Sequence, residues 1–236
     1  MTYGANWYAV AIAEGLESGT CAGVRLLDKE IVLWRDGDGS VHAWEDRCPH
    51  RGMRLSFGFV RGDRIACLYH GWQYGTDGQC RYIPAHPDLT VPATIRATVY
   101  PCCERIGMVW IYSELGAESP PTPPPERQPV TPVRSIYLDH SAETIAERLA
   151  GGDLPPFPAD AAKSRPAVEQ HGTILSVRHG ETELLAALQP VGERKSALHL
   201  AICAGEAWRG SGQKRVAQWA QELRGDLQQT SFAILR

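Results

Sequence analysis

The sequence predicts an α+β protein in two parts, a β-rich N-terminal part and a C-terminal part of strands backed by helices. Three observations predict it. Through residues 1–115, short runs of Val, Ile, Leu and Trp alternate with turns rich in Gly and Asp. Residues 116–132, GAESPPTPPPERQPVTP, then hold seven prolines. Near the end, KRVAQWAQELRGDLQQ spaces Val216, Trp219, Ala220, Leu223 and Leu227 at i, i+3, i+4, i+7 and i+11, the period of an amphipathic helix.

Taken in order, EIVLWRDGDGSVHAWED (30–46) reads as a hairpin folded around Asp36, Gly37, Asp38 and Gly39. GDRIACLYHGWQYGTDGQCRYIP (62–84) reads as further strands, turning at Gly62 and Asp63 and again at Thr76, Asp77 and Gly78. VYPCCERIGMVWIYSE (99–114) is a third hairpin, with Glu104 and Arg105 near its turn. The prolines forbid regular structure, so residues 116–132 are expected to be a linker or a strap laid over a surface. That gives a domain at 1–115, a linker at 116–132 and a second domain at 133–236. In the latter, HSAETIAERLA (140–150) reads as a helix, and GTILSVRH, TELLAALQP and KSALHLAIC as three strands.

Composition narrows the function. With 43% hydrophobic and 22% charged residues in 236, the chain can bury a sizeable core. A formal charge of −3 argues against nucleic acid as a partner. No apolar run approaches the roughly 20 residues of a bilayer span, so no membrane role is expected. The N-terminus MTYGANWYAVAIAEGLESG lacks the basic start of a signal peptide. Seven cysteines, an odd number, suit a reducing cytoplasm. They are then ligands or buried thiols. Cys21, Cys80, Cys102, Cys103 and Cys203 lie in strand-like or apolar contexts and read as buried thiols, with Cys102 and Cys103 facing opposite ways.

DRCPHRGMRLSFGFVRGDRIACLYHGWQYG (46–75) is different. Cys48 and His50 stand two apart, Cys67 and His70 three apart, and glycines (Gly52, Gly71) follow closely. Ligands so close in sequence must point inward from a tight loop, and glycine lets the backbone turn there. Two cysteines and two histidines suit zinc or a Rieske [2Fe–2S] cluster. Zinc fingers put both cysteines in one knuckle. Here each loop gives one of each, which fits two irons, one held by thiolates and one by imidazoles.

CPHRG and CLYHGWQY resemble the Rieske domain of the Rieske non-haem iron oxygenases, the family of aromatic-ring hydroxylases and O- or N-demethylases. The likeness runs from about Trp7 to Tyr112 and includes GTDGQC and GMVWIY. It implies an N-terminal all-β Rieske domain with Cys48, His50, Cys67 and His70 as ligands, followed by a reduced helix-grip-like catalytic domain. Respiratory Rieske proteins add a disulfide between the two loops. The corresponding positions here are Met53 and Tyr69, so that bridge is impossible. Without it, and with fewer hydrogen bonds to the sulfurs, the resemblance implies a potential near the low end of the Rieske range, roughly −150 mV.

The family's second domain holds a mononuclear iron through Asp-x-x-His-x-x-x-x-His on a helix and a later Asp. Matching Asp139 to the first Asp puts Ala142 and Glu147 where the histidines belong, and His140 is one residue out of place. LQQTSFAILR resembles the family's terminal helix with the Asp-bearing turn deleted, and the domain is about half the usual length. A mononuclear iron is therefore expected to be absent. A rebuilt site would have to draw on His171, His179 and His199 with Glu143, Glu147 or Asp153. The resemblance implies an electron-transfer subunit served by a reductase or ferredoxin and paired with a homologous catalytic subunit, in a trimeric or mixed ring. Asp139 would then be a candidate electron-transfer bridge between subunits. The alternative is a small self-contained oxygenase or demethylase with an unconventional iron site.

Overall fold

Alternation along each strand decides which core its side chains enter, and among the described residues it organises four antiparallel sheets. The computed structural model describes residues 4–152, 154, 166–204 and 210–234, with side chains through residue 229 in the last segment. The first part runs β1 (Trp7–Ile12), β2 (Cys21–Leu26), β3 (Lys29–Arg35), β4 (Val41–Glu45), β5 (Phe59–Arg61) and β6 (Arg64–Ala66). It continues with β7 (Gln73–Gly75), β8 (Cys80–Tyr82), β9 (Val99–Tyr100), β10 (Cys102–Arg105) and β11 (Met108–Tyr112). The second part holds β12 (Val130–Leu138), α1 (Ala142–Ala150), β13 (Ala167–His171), β14 (Ile174–His179), β15 (Thr182–Gly192), β16 (Lys195–Cys203) and α2 (Ser211–Ile234). Strand orders are β2-β3-β4-β9, β5-β6-β7-β8, β1-β11-β10 and β12-β16-β15-β14-β13. The α+β class is as the sequence predicts.

Three local expectations are corrected. Residues 99–114 do not form one hairpin: β9 pairs with β4, and the hairpin proper is β10–β11, turning at Ile106 and Gly107. Pro101 lies between β9 and β10, and a residue without an N–H interrupts a ladder there. Second, the proline-rich segment is not irregular throughout, because β12 starts at Val130 and includes Pro132. β12 is an edge strand and its register slips between Pro132 and Arg134, where a missing N–H is tolerated. Third, α1 begins at Ala142, with Ser141 as its cap accepting from the Thr144 N–H at 3.3 Å. Asp139 and His140 therefore lie in a bend before the helix, and the helical spacing assumed for them does not apply. The polar edge strand β13, AVEQH, was not foreseen at all.

The central strands β15 and β16 of the five-stranded sheet are buried on both faces. Leu184, Ala186 and Leu188 of β15 and Leu198, Leu200 and Ile202 of β16 pack beneath α1 and α2. Their neighbours Leu185, Ala187, Ala201 and Cys203 face the other way, against Trp7, Met108, Trp110 and Tyr112 of the β1-β11-β10 sheet. Small alanines opposite large rings let the two sheets close at core density. The tip of the β2–β3 hairpin adds a backbone tie. The Leu27 N–H donates to the Pro190 carbonyl at 2.8 Å, and the Asp28 N–H to the Val191 carbonyl at 3.0 Å. Cys102 and Cys103 enter different cores, as alternation requires.

One polar thread crosses this apolar seam. His199 is fully buried, its Nδ1 at 2.7 Å from the Ser135 hydroxyl and its Nε2 at 2.7 Å from Gln189 Oε1. Gln189 Nε2 donates to the Arg25 carbonyl at 2.8 Å, in the other part of the chain. Because the Gln189 amide nitrogen is committed to that carbonyl, its oxygen must accept, which makes His199 the Nε2–H tautomer. Burial pushes the His199 pKa down to about 3. Unfolding restores a value near 6.5, so the unfolded chain binds the extra proton between those two pH values. Stability contributed by neutral His199 is thus complete above about pH 6.5 and falls by about 1.4 kcal/mol per unit on acidification toward pH 3. Urea midpoints measured across that window should show this slope in the parent and a shallower one in His199→Gln.

Candidate metal centre

The two cysteine–histidine loops are built to one backbone plan. The Cys48 N–H donates to the Met53 carbonyl at 2.7 Å, and the Gly52 N–H returns to the Cys48 carbonyl at 2.8 Å. In the second loop the Cys67 N–H donates to the Trp72 carbonyl at 2.9 Å, and the Gly71 N–H to the Cys67 carbonyl at 3.0 Å. Both bonds span the same offsets, five residues and four. Gly52 and Gly71 sit at φ of +74° and +69°, a region that L side chains enter only with strain. Pro84 also lies 3.0 Å from where a Cβ on Gly71 would be. Only the histidine offsets differ, two residues in one loop and three in the other.

These loops bring the four predicted side chains together and sort them by depth. Cys48 and Cys67 are buried in one apolar floor with Trp44, Leu55, Ile65 and Tyr74. His70 is exposed and His50 half-buried, their ring centroids 4.7 Å apart. Each imidazole is bracketed: Trp72 stacks on His50 at 4.2 Å and 6°, and Tyr69 lies against His70 at 3.9 Å. Lost solvation, then the neighbouring His70 and Arg51, draw His50 below the usual imidazole pKa, which keeps it neutral with a lone pair to give.

Donors also reach both sulfurs. Burial, and after it the hydrogen bond to Cys48, hold the Tyr74 phenol above its ordinary pKa, and its oxygen lies 3.0 Å from Cys48 Sγ, placed to donate to a thiolate there. Burial raises the Cys67 thiol, while the backbone N–H groups of Tyr69 and His70 pull it down. The expectation of few hydrogen bonds to the sulfurs is thus modified, and each such donor moves a reduction potential upward. Tyr74 and Trp72 were not singled out from the sequence, although both lie in the HGWQY stretch that carried the signal.

The donor set fits a Rieske cluster: buried thiols inside, more accessible imidazoles outside, two protein ligands for each iron. Among the described residues no three His, Cys, Asp or Glu side chains converge as a set for one metal ion. A two-and-two division needs no such triple. Of the residues weighed for a rebuilt iron site, His171 is exposed on β13, His179 ends β14 and His199 is committed to the seam described above. Asp153 lies outside the described residues. Asp139 is exposed in its bend, Ala142 is buried against the sheet and Glu147 is exposed.

Comparison with known proteins agrees with this geometry. Residues 6–96 match the family model of the Rieske [2Fe-2S] domain. Residues 6–96 thus form a Rieske [2Fe–2S] domain, and through it the chain is similar to the Rieske non-haem iron oxygenases. It is 43% identical over 107 residues to the oxidoreductase NdmD of Pseudomonas putida, a match covering 44% of this chain and 18% of that one. It is 44% identical over 88 residues to the methylxanthine N1-demethylase NdmA of the same organism, covering 37% of this chain and 25% of that one. The matched stretch is thus a quarter or less of either relative's length. The solved structure of NdmA from Pseudomonas putida CBB5 superposes with a TM-score of 0.71 over 94% of this chain and 80% of that one. At 21% identity this likeness shows the fold, and it extends through the second sheet. Among the described residues no helix is long and apolar enough to cross a membrane.

The geometry predicts distinct results for distinct substitutions. Cys48→Ser and Cys67→Ser should each abolish the cluster, read as loss of iron and of its EPR signal. Tyr74→Phe should keep both but lower the midpoint potential by about 40 mV, the one-electron equivalent of about 1 kcal/mol for a lost hydrogen bond. A redox titration that leaves the midpoint unchanged would remove Tyr74 from the account.

Proposed function

We infer that this chain carries electrons within a Rieske oxygenase system. It takes them from a reductase or ferredoxin and passes them to a mononuclear iron on a homologous, catalytically complete chain. The observation that supports electron carriage most directly is the pair of matched loops, with thiols buried and imidazole edges exposed. Bound there, a Rieske cluster supplies one-electron transfer. Cys48 and Cys67 would hold its buried iron, and His50 and His70 its outer iron. Trp72 and Tyr69 fix the imidazole planes, Tyr74 stays protonated as a donor to Cys48, and the exposed histidine edges give partners a short approach.

Delivery to a partner chain is supported by the residues themselves. In the register that starts at Asp139, Ala142 and Glu147 occupy the positions of the two iron-binding histidines, and an alanine has no donor atom. A trimeric or mixed ring in the cytoplasm is the assembly this reading implies, with Asp139, exposed between β12 and α1, as the candidate bridge. The second reading, a self-contained monooxygenase or demethylase with an unconventional iron site, draws support from the second sheet and its helices, more protein than electron carriage needs.

Iron analysis should give two irons per chain, and a stoichiometric third would favour the second reading. With a reductase alone the protein should accept electrons and oxidise no substrate. With a homologous chain that carries the two histidines and a carboxylate, turnover should appear. In that mixture Asp139→Asn should cut turnover while leaving a reducible cluster, and full activity would make Asp139 a bystander.

A further inference from the structure

On the face of the second sheet turned away from α1 and α2, the proline-rich segment and strands β14 and β15 enclose a cleft of about 320 Å³. Alternation puts Ile174, Ser176 and Arg178 of β14 and Glu183 and Leu185 of β15 on that face. Pro124, Pro125 and Ile106 supply the rest of the apolar lining. The proline wall is held on both sides. The Trp7 Nε1–H donates to the Pro121 carbonyl at 2.8 Å, and the Ile106 N–H to Glu126 Oε1 at 2.8 Å. A cleft of this size, with fixed walls, is within the range of small-molecule sites, roughly 300–1,000 Å³. Its polar lining is Ser176, His171 and three charged groups, Arg127, Arg178 and Glu183. Glu183 accepts from the Ser176 hydroxyl at 2.5 Å and from Arg178 Nε at 3.1 Å. Arg178 also meets Glu169 of β13 at 3.4 Å, so its charge is answered twice. Arg127 is answered less well. Its Nε stands 3.6 Å from Glu183 and its Nη1 3.5 Å from the Glu126 carbonyl, both long for hydrogen bonds.

We propose that this cleft binds a small organic acid, a flat apolar body carrying one carboxylate, with the body between the prolines and the strand face and the carboxylate on Arg127. The site uses no residue of the cysteine–histidine loops, so it stands apart from the electron-carrier reading and goes beyond it. Charge complementarity selects the class of ligand. The lining carries two guanidiniums and one carboxylate, which disfavours an amine. Glu183 is already engaged, so the donors left over are those of Arg127. One guanidinium with spare donors matches one carboxylate, through two parallel N–H···O bonds that a planar fork is shaped to give. The body then buries apolar surface against Ile174, Leu185, Pro124 and Pro125. A sheet face opposite proline rings makes a slot that a flat body fills better than a round one.

The test is calorimetric titration of the iron-loaded full chain with cinnamate, a flat monocarboxylate. Cinnamyl alcohol, which lacks the charge, and acetate, which lacks the body, serve as controls. The parent should bind one equivalent of cinnamate, and each control at least roughly tenfold more weakly. Arg127→Gln should weaken cinnamate at least roughly tenfold and leave cinnamyl alcohol unchanged. Arg127→Lys should fall between, because it keeps the charge and loses the fork. Ile174→Ala should weaken cinnamate and cinnamyl alcohol by a similar factor, since it trims the surface that holds the body. Iron content and circular dichroism equal to the parent's show that each variant is folded. The proposal is overturned by a parent that shows no saturable cinnamate binding, or by equal affinity in parent and Arg127→Gln. Acetate bound as tightly as cinnamate, or a folded Ile174→Ala that binds like the parent, would overturn it as well, because the apolar half of the site would then be doing nothing.

Discussion

Two sulfurs 19 residues apart in sequence have to be held in one dry, apolar floor while two imidazoles of the same loops stay at the surface. Burying a thiolate is costly unless something answers its charge. The N-terminal part meets that constraint with backbone geometry. The same pair of hydrogen bonds closes each loop, the same left-handed glycine completes it, and the Tyr69 and His70 N–H groups of the second loop turn toward Cys67. Strands β6 and β7 exist in register to present one loop, while β4 leads into the other, so the local sheets serve as a frame for the ligands.

Depth follows from the same arrangement. Because the cysteines start their loops and the histidines stand near the tips, the sulfurs fall inward and the rings outward. Aromatic neighbours then reduce the freedom of the rings without forming bonds to them. An edge placed in this way suits electron exchange with a large partner.

The second part is joined to the first by packing more than by its linker. The central strands of its sheet, covered by helices on one face and by another sheet on the other, have no solvent face to spare. The polar chain through Ser135, His199, Gln189 and Arg25 is therefore the seam's most demanding element, since every buried donor and acceptor along it has to be satisfied. It helps to fix how the two parts meet, and it commits His199, one of the residues a rebuilt iron site would have needed, to a structural role.

The sequence by itself determined the two cysteine–histidine loops, because the short-range spacing of Cys, His and Gly that closes them is local. It also determined the helices and the three strands after the prolines, whose periods are local. What it could not show was direction. The run LLAALQP in β15 looks uniformly apolar, and only the tertiary structure decides that Leu184, Ala186 and Leu188 meet helices while Leu185 and Ala187 meet the other sheet. The start of β12 inside the prolines, the late start of α1 and the hydrogen bond from Tyr74 to Cys48 belong to the same class. Each depends on contacts between residues distant in sequence, and the energy of such contacts is not written in any one segment.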